Sequence, residues 1–287
     1  MKICLRILID ACIIIVALVI IFVWRAIMPP RMPVSLVPSD MGLPFEDVSF
    51  ITSDGKTLKG WFIPSENKAG VIICLHGYPS NKSDILPVVS FLYPDFSLLL
   101  FDFRAHGESG GKITYFGLKE SEDVKAAIDF LESREETKGS KIGVWGYSLG
   151  GAMGIITSAK YKGIDALVSD SAFANFPEMV THYYQNLGPL KYVFSSFSRL
   201  LGRYVLGVRF IENSPEYFVD KITSPILIIH SVEDDFVPYE HAKRLFNKAP
   251  EPKKLWEVEG VHIGLDRAFT SEYRETILSF FKQHLGG

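Results

Sequence analysis

The chain has 287 residues, of which 47% are hydrophobic and 22% charged, and its formal net charge is -3. This composition is typical of a globular protein with a sizeable core and excludes an intrinsically disordered chain. Because basic residues are scattered and the net charge is negative, the sequence predicts no nucleic-acid partner. The three cysteines, Cys4, Cys12 and Cys74, form neither a disulfide framework nor a metal-ligand spacing, so no metal site is predicted.

The first 28 residues differ in composition from everything that follows. Residues 11–24 carry no charge, and residues 7–27 are interrupted only by Asp10 and Arg25. At about 1.5 Å per residue, a helix of this length covers the roughly 30 Å of hydrocarbon in a bilayer. We therefore predict that residues 1–28 form a transmembrane helix that anchors the chain in a membrane.

Two other interpretations of this segment stay open. Lys2 and Arg6 precede the apolar stretch as in a cleaved signal peptide, although the bulky residues 23–25 offer no small-x-small cleavage site. A buried or interfacial helix is the third interpretation. Lys2, Arg6 and the amino terminus slightly outweigh the positive charge of Arg25 and Arg31, which favours an extracytoplasmic main domain.

Residues 29–44 are rich in proline and predict an extended spacer that lifts the following domain off the membrane. The domain itself is predicted over residues 45–287. It begins with two apolar segments around Ser53-Asp54-Gly55, a pattern typical of a hairpin closed by an Asp-Gly turn.

Strands and helices alternate after the hairpin. Short continuous apolar runs, typical of strands buried on both faces, occur at residues 71–75, 97–103, 141–145, 166–169 and 226–230. An amphipathic pattern at residues 118–136 predicts a helix between two of them. The alternation predicts an α/β fold with a mainly parallel sheet covered by helices on both faces.

An aromatic-rich insertion at residues 171–224 interrupts this alternation. It is too long for an ordinary loop, so we predict a helical insertion. A lid over an active site is the favoured role, because such insertions commonly build a substrate pocket. An element that dips into the bilayer and a purely structural role remain alternatives.

The pattern Gly146-Tyr147-Ser148-Leu149-Gly150 matches the G-x-S-x-G nucleophile elbow. The motif alone is weak, but here it lies between a predicted buried strand and a predicted helix over residues 149–160. Such a turn exposes the serine hydroxyl at the carboxyl end of the strand. Ser148 is therefore the candidate nucleophile.

A serine needs a base to accept its proton and an acid to orient that base. Among the seven histidines, His262 lies on a loop after the last predicted strand and before the C-terminal helix, downstream of the serine. Asp234 directly follows a buried strand and is the preferred acid over its neighbour Asp235, while Asp170 is expected to be structural.

The oxyanion of an acyl-transfer reaction needs two backbone N–H donors. The elbow predicts one from Leu149, the residue after the nucleophile, and one from Tyr78 in the loop after the strand at residues 71–75. His76, in the same loop, is expected to orient the loop rather than to act as a base.

Five segments, HGYPSNKSD, FDFRAHGESGG, GYSLGG, HSVEDDFVP and GVH, resemble the α/β-hydrolase superfamily in order and spacing. The chain looks most like its membrane-anchored esterase and acylglycerol-lipase-like branch, with similarity to serine aminopeptidase-like hydrolases. The resemblance implies an α/β-hydrolase fold with about eight strands, no cofactor, and catalysis at Ser148, Asp234 and His262. Two departures from the usual pattern, Ala105 and Ser231, concern loop detail.

These patterns together predict a membrane-tethered serine hydrolase that cleaves small-molecule carboxylic esters, lipids included, with apolar acyl chains. An aminopeptidase-like enzyme, or an amide or thioester hydrolase with the same triad, is the alternative. A non-catalytic module that binds a lipid or a partner protein is a third hypothesis. The sequence carries no signal for the oligomeric state.

Overall fold

An eight-stranded sheet forms the centre of the protein in the computed structural model, which describes residues 2–67, 69–117, 119–207, 212–262 and 268–286. The strand order is β1-β2-β4-β3-β5-β6-β7-β8, and β2 alone runs against the other strands. The mainly parallel α/β sheet predicted from the sequence is confirmed. Its strands are β1 (Glu46–Ile51), β2 (Thr57–Ile63), β3 (Val71–Leu75), β4 (Ser97–Phe101), β5 (Ile142–Tyr147), β6 (Ala166–Asp170), β7 (Ile226–Ser231) and β8 (Lys253–Val258).

Burial explains the two kinds of strand in this sheet. All side chains of β3, β4, β5, β6 and β7 are buried, as their continuous apolar runs require. By contrast, β1 at one edge alternates between exposed and buried residues along its second half. The turn between β1 and β2 is fixed by Thr52, whose hydroxyl donates to Asp54 Oδ1 at 2.6 Å.

Helices cover both faces of the sheet. One face carries apolar residues of α3, α4 and α7, and the other face carries those of α2 and α8. Sequence patterns did not predict α2, which begins after Asn81, where the side-chain oxygen accepts from the Ser83 N–H at 2.7 Å. The helices are α1 (Lys2–Ile27), α2 (Lys82–Val89), α3 (Glu120–Ser133), α4 (Leu149–Lys160), α5 (Phe176–Tyr183), α6 (Lys191–Leu206), α7 (Glu240–Lys248) and α8 (Ser271–Leu285).

The insertion predicted at residues 171–224 contains α5 and α6, joined by a 3-10 segment at Gln185–Leu190. Two shorter 3-10 turns, Pro215–Tyr217 and Val219–Lys221, lead back to β7. Residues 208–211, which the prediction included, lie outside the described residues. The same holds for residue 1 of the predicted anchor and for residues 68, 118, 263–267 and 287 of the predicted domain. The described part of the insertion is helical, as expected.

The proline-rich segment at residues 29–44, predicted as an extended spacer, is in contact with the domain that follows it. The Arg31 guanidinium donates to the carbonyl oxygens of Gly107, Ser109 and Gly111 at 2.6–2.8 Å. Apolar residues farther along this segment, Val34, Leu36 and Val37, pack against the core on the α2 and α8 side. The segment is thus a part of the domain surface, because one side chain satisfies several loop carbonyls at once.

Candidate active site

Ser148 lies at the sharp turn between β5 and α4. Its φ angle is +52°, in a region that non-glycine residues rarely adopt, and its backbone N–H donates to the Asp170 carbonyl at 2.8 Å. Such a conformation persists only when the surrounding structure holds it. The turn presents the Ser148 side chain, on a residue that is 8% exposed, at the carboxyl edge of the sheet.

Two glycines make this turn possible by allowing backbone segments to touch. A Cβ atom on Gly146 would overlap the backbone of Gly150, and a Cβ atom on Gly150 would overlap the backbone of Leu75 in β3. Neither neighbour can move away, because both are main-chain atoms within the elbow or the sheet. The glycine spacing of the motif is therefore a packing requirement of the turn.

Ser148, His262 and Asp234 form one chain of hydrogen bonds, although they come from distant parts of the sequence. The His262 ring lies with Nε2 3.1 Å from Ser148 Oγ and with Nδ1 2.7 Å from Asp234 Oδ2. All three residues are almost fully buried. The geometry fits a proton path from the serine hydroxyl to the imidazole, with the carboxylate orienting the ring.

The Asp234 carboxylate is held in place from several directions. Its Oδ1 accepts from the backbone N–H groups of Phe236 and Val237 at 3.0 and 2.7 Å. Burial alone would raise the pKa of Asp234, but the hydrogen bond from His262 and the backbone donor of Val237 bring that pKa below its usual value. The group is therefore ionised at neutral pH and accepts the His262 Nδ1–H.

Contacts with the backbone position the loop that carries His262. The Tyr147 hydroxyl donates to the His262 carbonyl, and the Ser231 hydroxyl donates to the Gly260 carbonyl. Ser231 is one of the two departures from the hydrolase pattern, and here its side chain tethers this loop to the end of β7. The rest of the loop, residues 263–267, lies outside the described residues.

The loop after β3 approaches Ser148 from the opposite side. A Cβ atom on Gly77 would lie 3.4 Å from Ser148 Cβ, so the Gly77-Tyr78 segment borders the nucleophile. The His76 Nδ1–H donates to the Gly77 carbonyl at 2.7 Å, and His76 Nε2 accepts from the Phe103 N–H at 3.0 Å. Burial lowers the pKa of His76 to about 3, so the ring stays neutral and braces the loop.

Tyr78 and Leu149, the residues named as oxyanion donors, both line the same cavity as Ser148. Leu149 is also the first residue of α4, where the first backbone N–H groups have no partner within the helix. Asp170 was considered as an alternative acid. Its carboxylate accepts hydrogen bonds from the hydroxyl groups of Tyr273 at 2.7 Å and Ser171 at 2.9 Å. Of the two carboxylates, Asp234 is the one with a hydrogen bond to the His262 ring.

A cavity of about 370 Å³ opens above Ser148, which is the size of a small ligand pocket. Aromatic and aliphatic side chains of the insertion form one side, among them Phe173, Phe176 and Met179. The lining also includes Phe22, Val23, Ala26 and Ile27 of α1. Within the described part of the chain, its charged lining residues are Arg25 and Arg199.

Sequence reasoning missed the contribution of α1 to this cavity. The composition of the helix carries no signal for it, because residues that face lipid and residues that face a pocket are equally apolar. Sequence reasoning also missed the position of His230, the second-last residue of β7, beside the Asp234 carboxylate, although its spacing of four residues from Asp234 was a weak signal. Its Nε2 lies 3.5 Å from Asp234 Oδ2 and 2.8 Å from the Val237 carbonyl.

No group of three or more His, Cys, Asp and Glu side chains is arranged to hold a metal ion within the ranges that the structure describes. The polar groups around Ser148 that carry chemistry are thus the His262 imidazole, the Asp234 carboxylate and backbone N–H groups. This donor set suits nucleophilic acyl transfer.

Comparisons with known proteins agree with this fold. Residues 70–208 match the family model described as alpha/beta hydrolase fold. The chain is 31% identical to the protein YqkD of Bacillus subtilis, with 79% of this chain and 75% of that protein covered. It is 26% identical to the membrane protein YNL320W of Saccharomyces cerevisiae, over 77% of this chain and 74% of that one.

A solved structure is similar over almost the whole chain. The esterase Pf2001 of Pyrococcus furiosus has a TM-score of 0.78 and 29% sequence identity, with 91% of this chain and 99% of that chain covered.

Proposed function

Because this chain belongs to the α/β-hydrolase fold family, we propose that it is a serine hydrolase that cleaves carboxylic esters with apolar acyl chains. The observation that carries the proposal is the hydrogen-bonded chain Ser148–His262–Asp234, with distances of 3.1 and 2.7 Å. The similarity to an esterase of Pyrococcus furiosus supports the same class of reaction.

The proposed reaction proceeds in two steps through an acyl-enzyme. Ser148 Oγ attacks the ester carbonyl carbon while His262 Nε2 takes the hydroxyl proton, and the same nitrogen then protonates the leaving alkoxide. Backbone N–H groups of Leu149 and Tyr78 stabilise the oxyanion. In the second step, His262 activates a water molecule that releases the acid and restores Ser148. The step balances without any cofactor.

The apolar cavity favours esters over the peptide substrates of an aminopeptidase. An enzyme that holds a free amino terminus needs an acidic group beside the nucleophile. The charged side chains that line the described part of the cavity are instead the two arginines, Arg25 and Arg199. Glu178, an acidic residue of the insertion, is paired with Arg244 at 2.6 and 2.8 Å. These contacts support an acyl-chain pocket and weigh against a site for a cationic amine.

We also propose that α1 anchors the protein in a membrane. Ile3–Ile27 is long and apolar enough to cross a bilayer, and its side chains Ile13, Ile14, Ile20 and Ile21 are exposed. The yeast relative is named as a membrane protein. The charge balance of Lys2 and Arg6 against Arg25 and Arg31 supports placing the hydrolase domain outside the cytoplasm.

The insertion would then dip into the bilayer beside the helix, because α6 packs beside the C-terminal half of α1. Its outward side chains are apolar or aromatic, among them Tyr192, Val193, Leu200 and Tyr204. Lys191, Arg199 and Arg203 are interspersed on the same helix. Apolar and basic residues on one helix are typical of elements that rest among lipid headgroups.

A substrate panel on the full-length protein in detergent tests the proposed activity. The panel comprises p-nitrophenyl esters from acetate to palmitate, a thioester, and amino-acid p-nitroanilides, each measured with the wild type and with Ser148→Ala. We expect ester turnover that exceeds anilide turnover and disappears in the variant. Faster anilide turnover would make the protein an amidase, and no turnover of any substrate would favour a binding module.

A further inference from the structure

The C-terminal half of α1 is packed into the protein, unlike the rest of that helix. Residues at four-residue spacing, Ile15, Val19, Val23 and Ile27, lie on one face and join the apolar cluster formed by α5 and α6. Val19 is 0% exposed and Ile27 is 2% exposed, whereas the neighbouring Ile20 is 46% exposed. A helix that served only as a tether would have no such buried face.

The end of α1 is also hydrogen-bonded to the hydrolase domain. The last carbonyl groups of any helix lack partners within the helix. Here the Ala26 carbonyl accepts from the Tyr78 hydroxyl at 2.9 Å, and the Ile27 carbonyl accepts from the Thr114 N–H at 2.8 Å. Tyr78 is the residue proposed to supply one of the two oxyanion donors, so the helix end is hydrogen-bonded to the loop that carries this donor.

The same turns of α1 border the cavity above the nucleophile. Phe22, Val23 and Ala26 line the cavity together with Ser148 and with residues of the insertion. Phe22 packs edge-to-face against Tyr183 and Tyr184, with ring centroids 6.4 and 6.2 Å apart, which connects the two walls. Without α1 the cavity would be open to its surroundings along this side.

We infer that the last two turns of α1 are one wall of the acyl-chain subsite, so that the membrane helix itself selects the length of the acyl chain. The inference rests on the proposed ester hydrolysis and names the residues that bind the apolar part of the substrate. A chain that enters between α1 and the insertion would pass directly from the hydrocarbon of the bilayer to Ser148. Loss of the helix, as in signal-peptide cleavage, would remove the subsite.

A matched pair of substitutions on α1 tests the subsite. Ala26 lines the cavity, whereas Ala17 lies on the same helix with its side chain exposed. We expect Ala26→Trp to fill the cavity and to lower the ratio of kcat/KM for p-nitrophenyl decanoate to that for the butyrate by about tenfold or more. Ala17→Trp should leave this ratio unchanged. An unchanged ratio in both variants would overturn the subsite.

Phe22→Ala provides a second variant that removes part of the wall without burying new atoms. Because Phe22 is 41% exposed, the substitution spares the buried core. We expect the ratio of decanoate to butyrate turnover to fall about fivefold. A wild-type ratio of decanoate to butyrate turnover in both Phe22→Ala and Ala26→Trp would contradict the inference.

Photolabelling separates failure of the subsite from failure of the proposed reaction. Ser148→Ala protein is irradiated with a diazirine-bearing long-chain fatty acid, with and without excess lauric acid, and the labelled peptides are mapped. We expect labelling of residues 22–27 that lauric acid suppresses and that Ala26→Trp abolishes. Such labelling without any wild-type ester turnover would retain the subsite and refute the hydrolase. Wild-type ester turnover without labelling of α1 that lauric acid suppresses would retain the hydrolase and refute the subsite.

Discussion

The carboxyl edge of the sheet and the wall of the cavity hold their residues in different ways. At the edge, Ser148, His262 and Asp234 are fixed by hydrogen bonds of defined direction. At the wall, α1 and α6 meet in one apolar cluster that includes Val19, Val23 and Phe194. Directional bonds tolerate almost no substitution, whereas apolar packing accepts changes that conserve volume. The edge should therefore determine whether reaction occurs, and the wall should determine which substrate reacts.

The largest expected effect lies at the edge, in Asp234→Asn. The amide keeps the size of the carboxylate but removes the charge that orients the His262 imidazole and stabilises its protonated form. We expect kcat/KM for every ester to fall by about 10⁴-fold, whatever the chain length. Steady-state kinetics across the ester panel measure this loss.

Asp235→Asn is the matched control for that variant. Its carboxylate lies 3.4 Å from the backbone N–H of His262 and has no bond to the ring. A loss of about fivefold or less is expected, since a single hydrogen bond is worth roughly 1 kcal/mol. Equal losses in the two variants would mean that Asp234 is not the acid of the triad.

Backbone packing of the elbow gives the next largest effect. In Gly150→Ala the new methyl group would overlap the Leu75 main chain, which cannot yield, so we expect a loss of about 3 kcal/mol in the free energy of unfolding. Gly154 lies on the same helix, but the atom nearest to a Cβ added there is at the end of the Leu167 side chain. A loss of about 1 kcal/mol is expected there, because a side chain can move and alanine favours the helix.

Chemical denaturation of both glycine variants checks this contrast. A Gly150→Ala protein as stable as Gly154→Ala would show that the elbow is less tightly packed than the structure indicates. In that case the edge of the sheet would tolerate added volume as readily as the wall of the cavity does.

A smaller effect is expected for Arg31→Ala, in the segment that follows α1. The substitution removes hydrogen bonds to the Gly107, Ser109 and Gly111 carbonyls. We expect residues 28–37 to open more readily, by about 1 kcal/mol, with faster proteolysis and hydrogen exchange there. Arg31→Lys should recover only part of the protection, because one ammonium group lacks the fork that reaches several carbonyls. Wild-type exchange rates in both variants would contradict this contact.

The smallest effect is a pH dependence of stability at Asp234. Its pKa is below the usual value in the folded protein, so the unfolded chain binds this proton first as the pH falls. The stabilisation is complete above the unfolded pKa of about 4 and is lost as the pH falls through the folded pKa. Urea unfolding at pH 7 and pH 3 should show the difference between wild type and Asp234→Asn shrinking at the lower pH. A constant difference would mean that the carboxylate is not stabilised by its partners.

The sequence predicted the sheet because its buried strands are short apolar runs separated by helical patterns. The elbow was predictable for a related reason, since close backbone contact at Gly146 and Gly150 admits only glycine. Ser148, Asp234 and His262 follow the ends of β5, β7 and β8, and the structure brings them together, while their catalytic roles stay a proposal.

Other features leave no local trace in the sequence. The tethering of residues 29–44 depends on carbonyl groups of a loop some 75 positions away, which any residue could offer. The cavity face of α1 has the same composition as its outer face, because lipid and a substrate chain are equally apolar. Helix α2 contains Pro87, which disguises a helix whose start is fixed by Asn81.

The central claim is that Ser148 is a nucleophile activated by His262, and site-mapped labelling tests it most directly. Full-length wild type, Ser148→Ala and His262→Ala are incubated with a fluorophosphonate probe, and the modified peptide is identified by mass spectrometry. We predict one adduct, on Ser148, absent from Ser148→Ala and formed far more slowly in His262→Ala. An adduct on another residue, or equal labelling of all three proteins, would contradict the account.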